Sequence, residues 1–188
     1  MNTQDVVRSV LDALNELAAP YMVVGSVATN FYCIPRSTQD ADIVVPPRLT
    51  DVARQLAQRL ETLRFDPQLA FESVTATTKA LLHTSDHDFH IELFELGDDE
   101  HDQQRFARRI RIETLGTRAW IATLEDMIVT KLRWARHAGR EQDVADVRNL
   151  ISVQKDSIDW PYVESWCDRH STRGLLEKLR EQVRALGG

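Results

Sequence analysis

The chain has 188 residues, with 23 Lys and Arg against 29 Asp and Glu, for a formal net charge of −6. Its 43% hydrophobic and 28% charged residues are enough to build a core, which excludes wholesale disorder. Two cysteines, Cys33 and Cys167, are too few for a disulfide framework or a four-thiolate zinc site, and the net acidity speaks against a sequence-blind coat for nucleic acid. The opening MNTQDVVRSV has neither the basic nor the apolar region of a secretion signal. No later apolar run reaches the roughly 18 residues of a membrane span. The expectation is a cytoplasmic, soluble protein with no membrane partner.

Apolar Val6, Val7, Val10, Leu14 and Leu17 follow helical spacing, so a helix is predicted over 2–18, capped by Asn2 with Asp5 and ended by Pro20. Residues 21–24 are a short apolar strand. Gly25-Ser26 turns the chain into a second helix reaching about residue 32. Pro35-Arg36-Ser37-Thr38 is a loop, and 40–45 a strand stopped by Pro46-Pro47. Thr50 or Asp51 caps a third helix to about residue 63. Strands follow near 80–84 and 88–96, with Ser85-Asp86-His87 as the turn. The acidic stretch Asp98 to Asp102 is predicted as a mobile segment, and 109–114 and 118–121 as a strand pair around Gly116. Four helices are predicted at 123–138, 140–152, 160–170 and 173–186. An α/β half, 1–122, thus precedes a helical half, 123–188.

Asp40-Ala41-Asp42 opens the strand 40–45. Strand residues two apart share a face and lie about 7 Å apart along the chain, so two carboxylates there can grip divalent cations together, as phosphoryl-transfer sites require. A solvated strand end is the plainer account. Gly25-Ser26 lies upstream, between a strand and a helix start. Glycine lets the backbone approach a ligand closely, and the N–H groups at a helix N-terminus favour phosphate. In the helical half, Lys131 falls in the middle of the stripe formed by Leu124, Ile128 and Ala135, where its stem either snorkels or aims the ammonium at a site. Asp143 falls on the apolar side of the next helix, between Val147 and Leu150.

Val24-Gly25-Ser26, thirteen intervening residues and Asp40-Ala41-Asp42-Ile43 together resemble the signature of the DNA polymerase β-like nucleotidyltransferase superfamily. The run Pro35-Arg36-Ser37-Thr38-Gln39-Asp40 is similar to that of small bacterial nucleotidyltransferases of the abortive-infection toxin type. Lys131, Arg140, Asp143 and Asp146 resemble their later Lys, Arg and Asp elements. The resemblance covers about residues 21–150. It implies an α/β (α+β) fold, with a mixed nucleotidyltransferase-type sheet and flanking helices, followed by a helical part that closes over the nucleotide.

The same resemblance implies a third acid on a neighbouring strand. Glu92 fits, since alternation groups His90, Glu92 and Phe94 on one face, and Glu95 is its rival on the other. The family more often has Asp there. The implied metal set is Asp40, Asp42 and Glu92 with Mg²⁺, two ions, and the catalytic set adds Lys131. The implied NTP-binding set is Gly25, Ser26, Arg36, Thr38, Lys131, Arg140 and Asp143, in which Arg36 would fork onto a phosphate and Thr38 would orient Asp40. The expected reaction moves a nucleoside monophosphate from an NTP to an RNA or protein hydroxyl, in a toxin–antitoxin component with a cognate antitoxin partner. The alternatives are a non-catalytic nucleotide- or RNA-binding module and an antibiotic-modifying nucleotidyltransferase.

Other groups carry less. His83, His87, His90 and His101 lack the partners of a tetrahedral zinc set. Arg105, Arg108, Arg109 and Arg111 read as a solvated strand edge or part of an acceptor groove. Trp160, Tyr162 and Trp166 read as helix-packing aromatics.

Overall fold

Asn2 starts the first helix through a reciprocal cap. Its side chain accepts from the Asp5 N–H at 2.8 Å, and the Asp5 carboxylate accepts from the Asn2 N–H at 3.2 Å. The computed structural model describes residues 2–72, 77–84 and 89–186. The turn expected at 85–87, with His87, lies outside the described residues. In chain order the elements are α1 (Thr3–Glu16), β1 (Met22–Val23), α2 (Gly25–Tyr32), β2 (Asp40–Val45), α3 (Leu49–Arg59), β3 (Leu63–Glu72), β4 (Thr77–Thr84) and β5 (His90–Glu95). Then come α4 (Glu100–Arg108), β6 (Ile110–Thr114), β7 (Thr117–Ile121), α5 (Leu124–Ala138), α6 (Glu141–Gln154), α7 (Trp160–Arg169) and α8 (Arg173–Leu186).

The chain divides into two units, Met1–Val27 with Ser37–Ala122, and Ala28–Arg36 with Thr123–Gly188. The first holds a seven-stranded sheet in the order β3-β4-β5-β2-β1-β7-β6. It is mixed, because β2 pairs β5 and β1 pairs β7 in parallel while the other neighbours are antiparallel. Helices α1 and α3 pack on the sheet and on each other, burying Val6, Val10, Leu11 and Leu14 of α1 and Ala53 and Leu56 of α3. Ala41 and Ile43 of β2 and Ile91 and Leu93 of β5 are buried on one face. Asp40, Asp42, His90 and Glu92 therefore share the other.

Sequence expectation and structure part in three places in this unit. The third helix ends at Arg59, and Leu63–Glu72 form β3, an edge strand with an irregular register between Asp66 and Ala70. Its alternation was invisible because Leu69 and Phe71 are exposed and Pro67 interrupts the pattern, which only an edge strand tolerates. The acidic stretch, expected as a mobile segment, is the cap and first turn of a helix. The Asp99 side chain accepts from the Asp102 N–H at 3.1 Å and caps α4, whose first turn carries Glu100 and Asp102, where negative charge suits the helix dipole. Nor do the arginines form one edge. Arg105 is buried against Asp102 at 2.8 Å, and Arg109 stacks over Phe106 and Trp120.

In the second unit, Thr123 caps α5, and Gly139, at φ 62°, ends it in the left-handed conformation that glycine adopts without strain. Helix α5 packs on α6 and α7, and α8 on α6 and α7. The core contains Ile128, Leu132, Val147, Leu150, Val163, Cys167 and Leu176. The Tyr162 hydroxyl donates to buried Asp126 at 2.6 Å, and Trp166 is buried, so these aromatics do pack between helices. No helix among the described residues is long and apolar enough to cross a membrane.

Candidate active site

The turn from β1 into α2 brings backbone against carboxylate. The Val24 N–H donates to the Asp42 carbonyl at 2.9 Å. Gly25 follows at φ +60°, and a Cβ placed on it would lie 1.8 Å from Asp42 Oδ2. Only glycine fits there, on both conformation and space. The Asp42 carboxylate thus sits over the first residue of α2, beside Ser26, where the helix N-terminus favours negative charge.

Asp40 lies two residues earlier on the same face of β2. The Thr38 hydroxyl donates to Asp40 Oδ1 at 2.7 Å, which fixes one oxygen of that carboxylate. The parallel register sets Glu92 of β5 directly beside Asp42, and His90 beside Asp40. Glu95 pairs with Val45 on the opposite face. Gly25, Ser26, Thr38, Asp40, Asp42 and Glu92 all belong to the first unit, with the three acids on one sheet face. As hard oxygen donors on one face, Asp40 and Asp42 suit Mg²⁺. Glu92 is differently placed, because both of its oxygens accept from the Lys79 ammonium, at 2.9 and 3.0 Å. Sequence reasoning missed Lys79. It lies on β4, opposite Phe94 and diagonal to Glu92, and only the strand register reveals that.

The remaining candidates belong to the second unit. Lys131, 5% exposed, donates to Asp143 Oδ1 at 3.0 Å and to Asp146 Oδ2 at 2.7 Å. Arg36 forks onto Asp146 with both contacts at 3.1 Å, and Gln142 adds a third donor at 2.9 Å. Burial alone would push the Asp146 carboxyl up, but the hydrogen bonds from Arg36 and Lys131 outweigh it and hold the group below the usual carboxylate range. The cluster is balanced, two cations against two carboxylates. Arg140 is exposed, with its guanidinium 4.2 Å from the Trp134 ring centroid.

One further group also escaped the sequence reading. The donor atoms of Asp99, His101 and Asp102, at the start of α4, lie within 4.8 Å of one another. Arg105 already takes one Asp102 oxygen there, which reduces the pull on a cation.

Solved structures share this fold at low identity. The antibiotic-resistance factor ANT(2'')-Ia, solved in complex with adenylyl-2''-tobramycin, matches at TM-score 0.63 and 15% identity, over 93% of this chain and 99% of that one. An antigenic nucleotidyltransferase-like protein from Paracoccidioides brasiliensis matches at 0.57 and 16%, over 95% and 91%. The lincosamide antibiotic adenylyltransferase LnuA, lincomycin-bound, matches at 0.54 and 14%, over 80% and 98%. No curated protein matches the chain. A family model matches residues 3–184, nearly the whole chain, and the chain belongs to that family, nucleotidyltransferases of unknown function (DUF6036).

Proposed function

We propose that this chain transfers a nucleoside monophosphate from an NTP to an acceptor hydroxyl. The observation that carries the reading is the Asp40–Asp42 pair on one strand face, with Asp42 pressed against the Gly25-Ser26 start of α2. Asp40 and Asp42 would hold Mg²⁺, with Glu92 the third acid of that face. When bound, the metal neutralises phosphate charge and polarises the phosphorus centre. The N–H groups at the start of α2 and the Ser26 hydroxyl hold phosphate oxygens. Thr38 keeps Asp40 oriented. The acceptor hydroxyl gives up its proton to solvent as its oxygen bonds to the α-phosphorus, the bond from that phosphorus to the α,β-bridging oxygen breaks, and pyrophosphate leaves with that oxygen. Most of the rate comes from positioning and charge stabilisation. Lys131, Arg36, Arg140 and Asp143 retain their assignment to nucleotide binding as part of this proposal.

For the acceptor, the sequence resemblance favours an RNA or protein hydroxyl, in a toxin whose cognate antitoxin would silence it. A second reading, a small hydroxylated antibiotic, is supported by the neighbours solved with adenylyl-2''-tobramycin and with lincomycin. One experiment separates them. The chain and its Asp42→Asn variant are incubated with each α-labelled NTP, Mg²⁺ and either total RNA, lysate protein, or a panel of aminoglycosides and lincosamides. Label in one acceptor class, absent with Asp42→Asn, identifies the acceptor. No label in any class, with intact protein, leaves the non-catalytic binding module in its place. Growth arrest on expression, dependent on Asp42, tests the toxin role.

A further inference from the structure

We infer that Lys79 is a built-in counter-ion that takes the coordination capacity of Glu92, so that this acid face holds one divalent cation, on Asp40 and Asp42, rather than two. The inference rests on the metal assignment made above and adds its stoichiometry. The Lys79 ammonium lies 2.9 and 3.0 Å from the two Glu92 oxygens, a symmetric clasp that engages both. It also lies over the Phe94 ring, 5.7 Å from the centroid. The antiparallel register of β4 with β5 pairs Lys79 with Phe94 and Leu81 with Glu92, so the sheet itself directs the lysine at Glu92. Both side chains are largely shielded, at 25% and 21% exposure.

The charge balance points the same way. Three carboxylates without a lysine would present three negative charges to metal. With Lys79 on the same face they present two, the charge of one divalent ion. A second ion bound to Glu92 would lie within about 5 Å of the ammonium, given metal–oxygen distances near 2.1 Å, and the two cations would repel at that range.

The test counts bound Mn²⁺ by loss of the free-ion electron paramagnetic resonance signal, titrating the metal into the 188-residue chain. The wild type should bind one ion per chain, Lys79→Met two, and Lys79→Met with Glu92→Gln one again. Lys79→Gln provides a second route if Lys79→Met does not fold, and circular dichroism melts establish folding for each. Two ions in the wild type that are both lost in Asp42→Asn overturn the inference, as does a count unchanged by removing Lys79. Asp42→Asn separates this from the parent reading. If it abolishes binding while Lys79→Met leaves one ion, only the role of Lys79 fails. If Asp42→Asn binds as the wild type does, the metal assignment and this inference fall together.

Discussion

Gly25 and Asp42 occupy a space that no side chain at position 25 can share. A Cβ there would stand 1.8 Å from Asp42 Oδ2 and 2.7 Å from Cγ, and the backbone is already in the left-handed region at φ +60°. Two constraints therefore converge on one glycine. Gly25→Ala should cost about 1–3 kcal/mol in backbone strain alone and displace the Asp42 carboxylate, so nucleotidyl transfer should fall at least about tenfold. A thermal melt and a transfer rate both equal to wild type would contradict the close approach.

Asp42→Asn keeps the shape of the side chain and removes its charge. Transfer should fall by about 10²-fold or more, in the range seen when a transition-state charge stabiliser is lost. Stability should fall by no more than about 1 kcal/mol, the worth of a carboxylate at a helix N-terminus, because the Asp42 backbone carbonyl, which accepts from Val24, is unchanged. Chemical denaturation alongside the labelled-NTP assay measures both.

Lys131→Met should destabilise the second unit strongly. Removing the ammonium leaves Asp143, 9% exposed, without the one donor shown for it, and takes one donor from Asp146, 1% exposed. Breaking a buried ion pair from one side costs about 3–5 kcal/mol. Adding Asp143→Asn should recover part of that loss, since it removes the orphaned charge. A Lys131→Met protein as stable as wild type would show that the cluster contributes nothing to the fold.

Acidification should act through Asp146. Its carboxyl is held below the usual range by Arg36 and Lys131, so the folded state binds fewer protons than the unfolded state near the ordinary carboxylate pKa of about 3.9. The stabilisation is full above that value and declines as pH falls through it toward the depressed folded pKa. The gap in melting temperature between wild type and Asp146→Asn should therefore be widest near neutrality and narrow steadily below about pH 4. A gap that widens on acidification would reverse the sign of the argument.

Much of the site could be read in the sequence because its signals are local. A carboxylate pair two residues apart on an apolar strand defines its own face wherever that strand goes, and the structure returns β2 as Asp40–Val45. The Asn2–Asp5 cap, the Gly25-Ser26 turn and the helical periodicity of α5 to α8 are equally local, each decided within a few residues. Lys131 in an apolar stripe pointed to a snorkelling stem or an ammonium aimed at a site, and only the structure supplies its partners, Asp143 and Asp146. The tertiary structure alone decided what depends on pairing across distance. Lys79 meets Glu92 only through the β4–β5 register, which a strand's own residues do not specify, and a slip by one residue would turn Lys79 to the other face. β3 was hidden because an edge strand buries too little to show alternation, and α4 because its first turn is acidic on account of the helix dipole, a composition that reads as loop until the helix is seen. The acids of this protein were written in its local sequence. The cation that answers Glu92 was set by how two strands align.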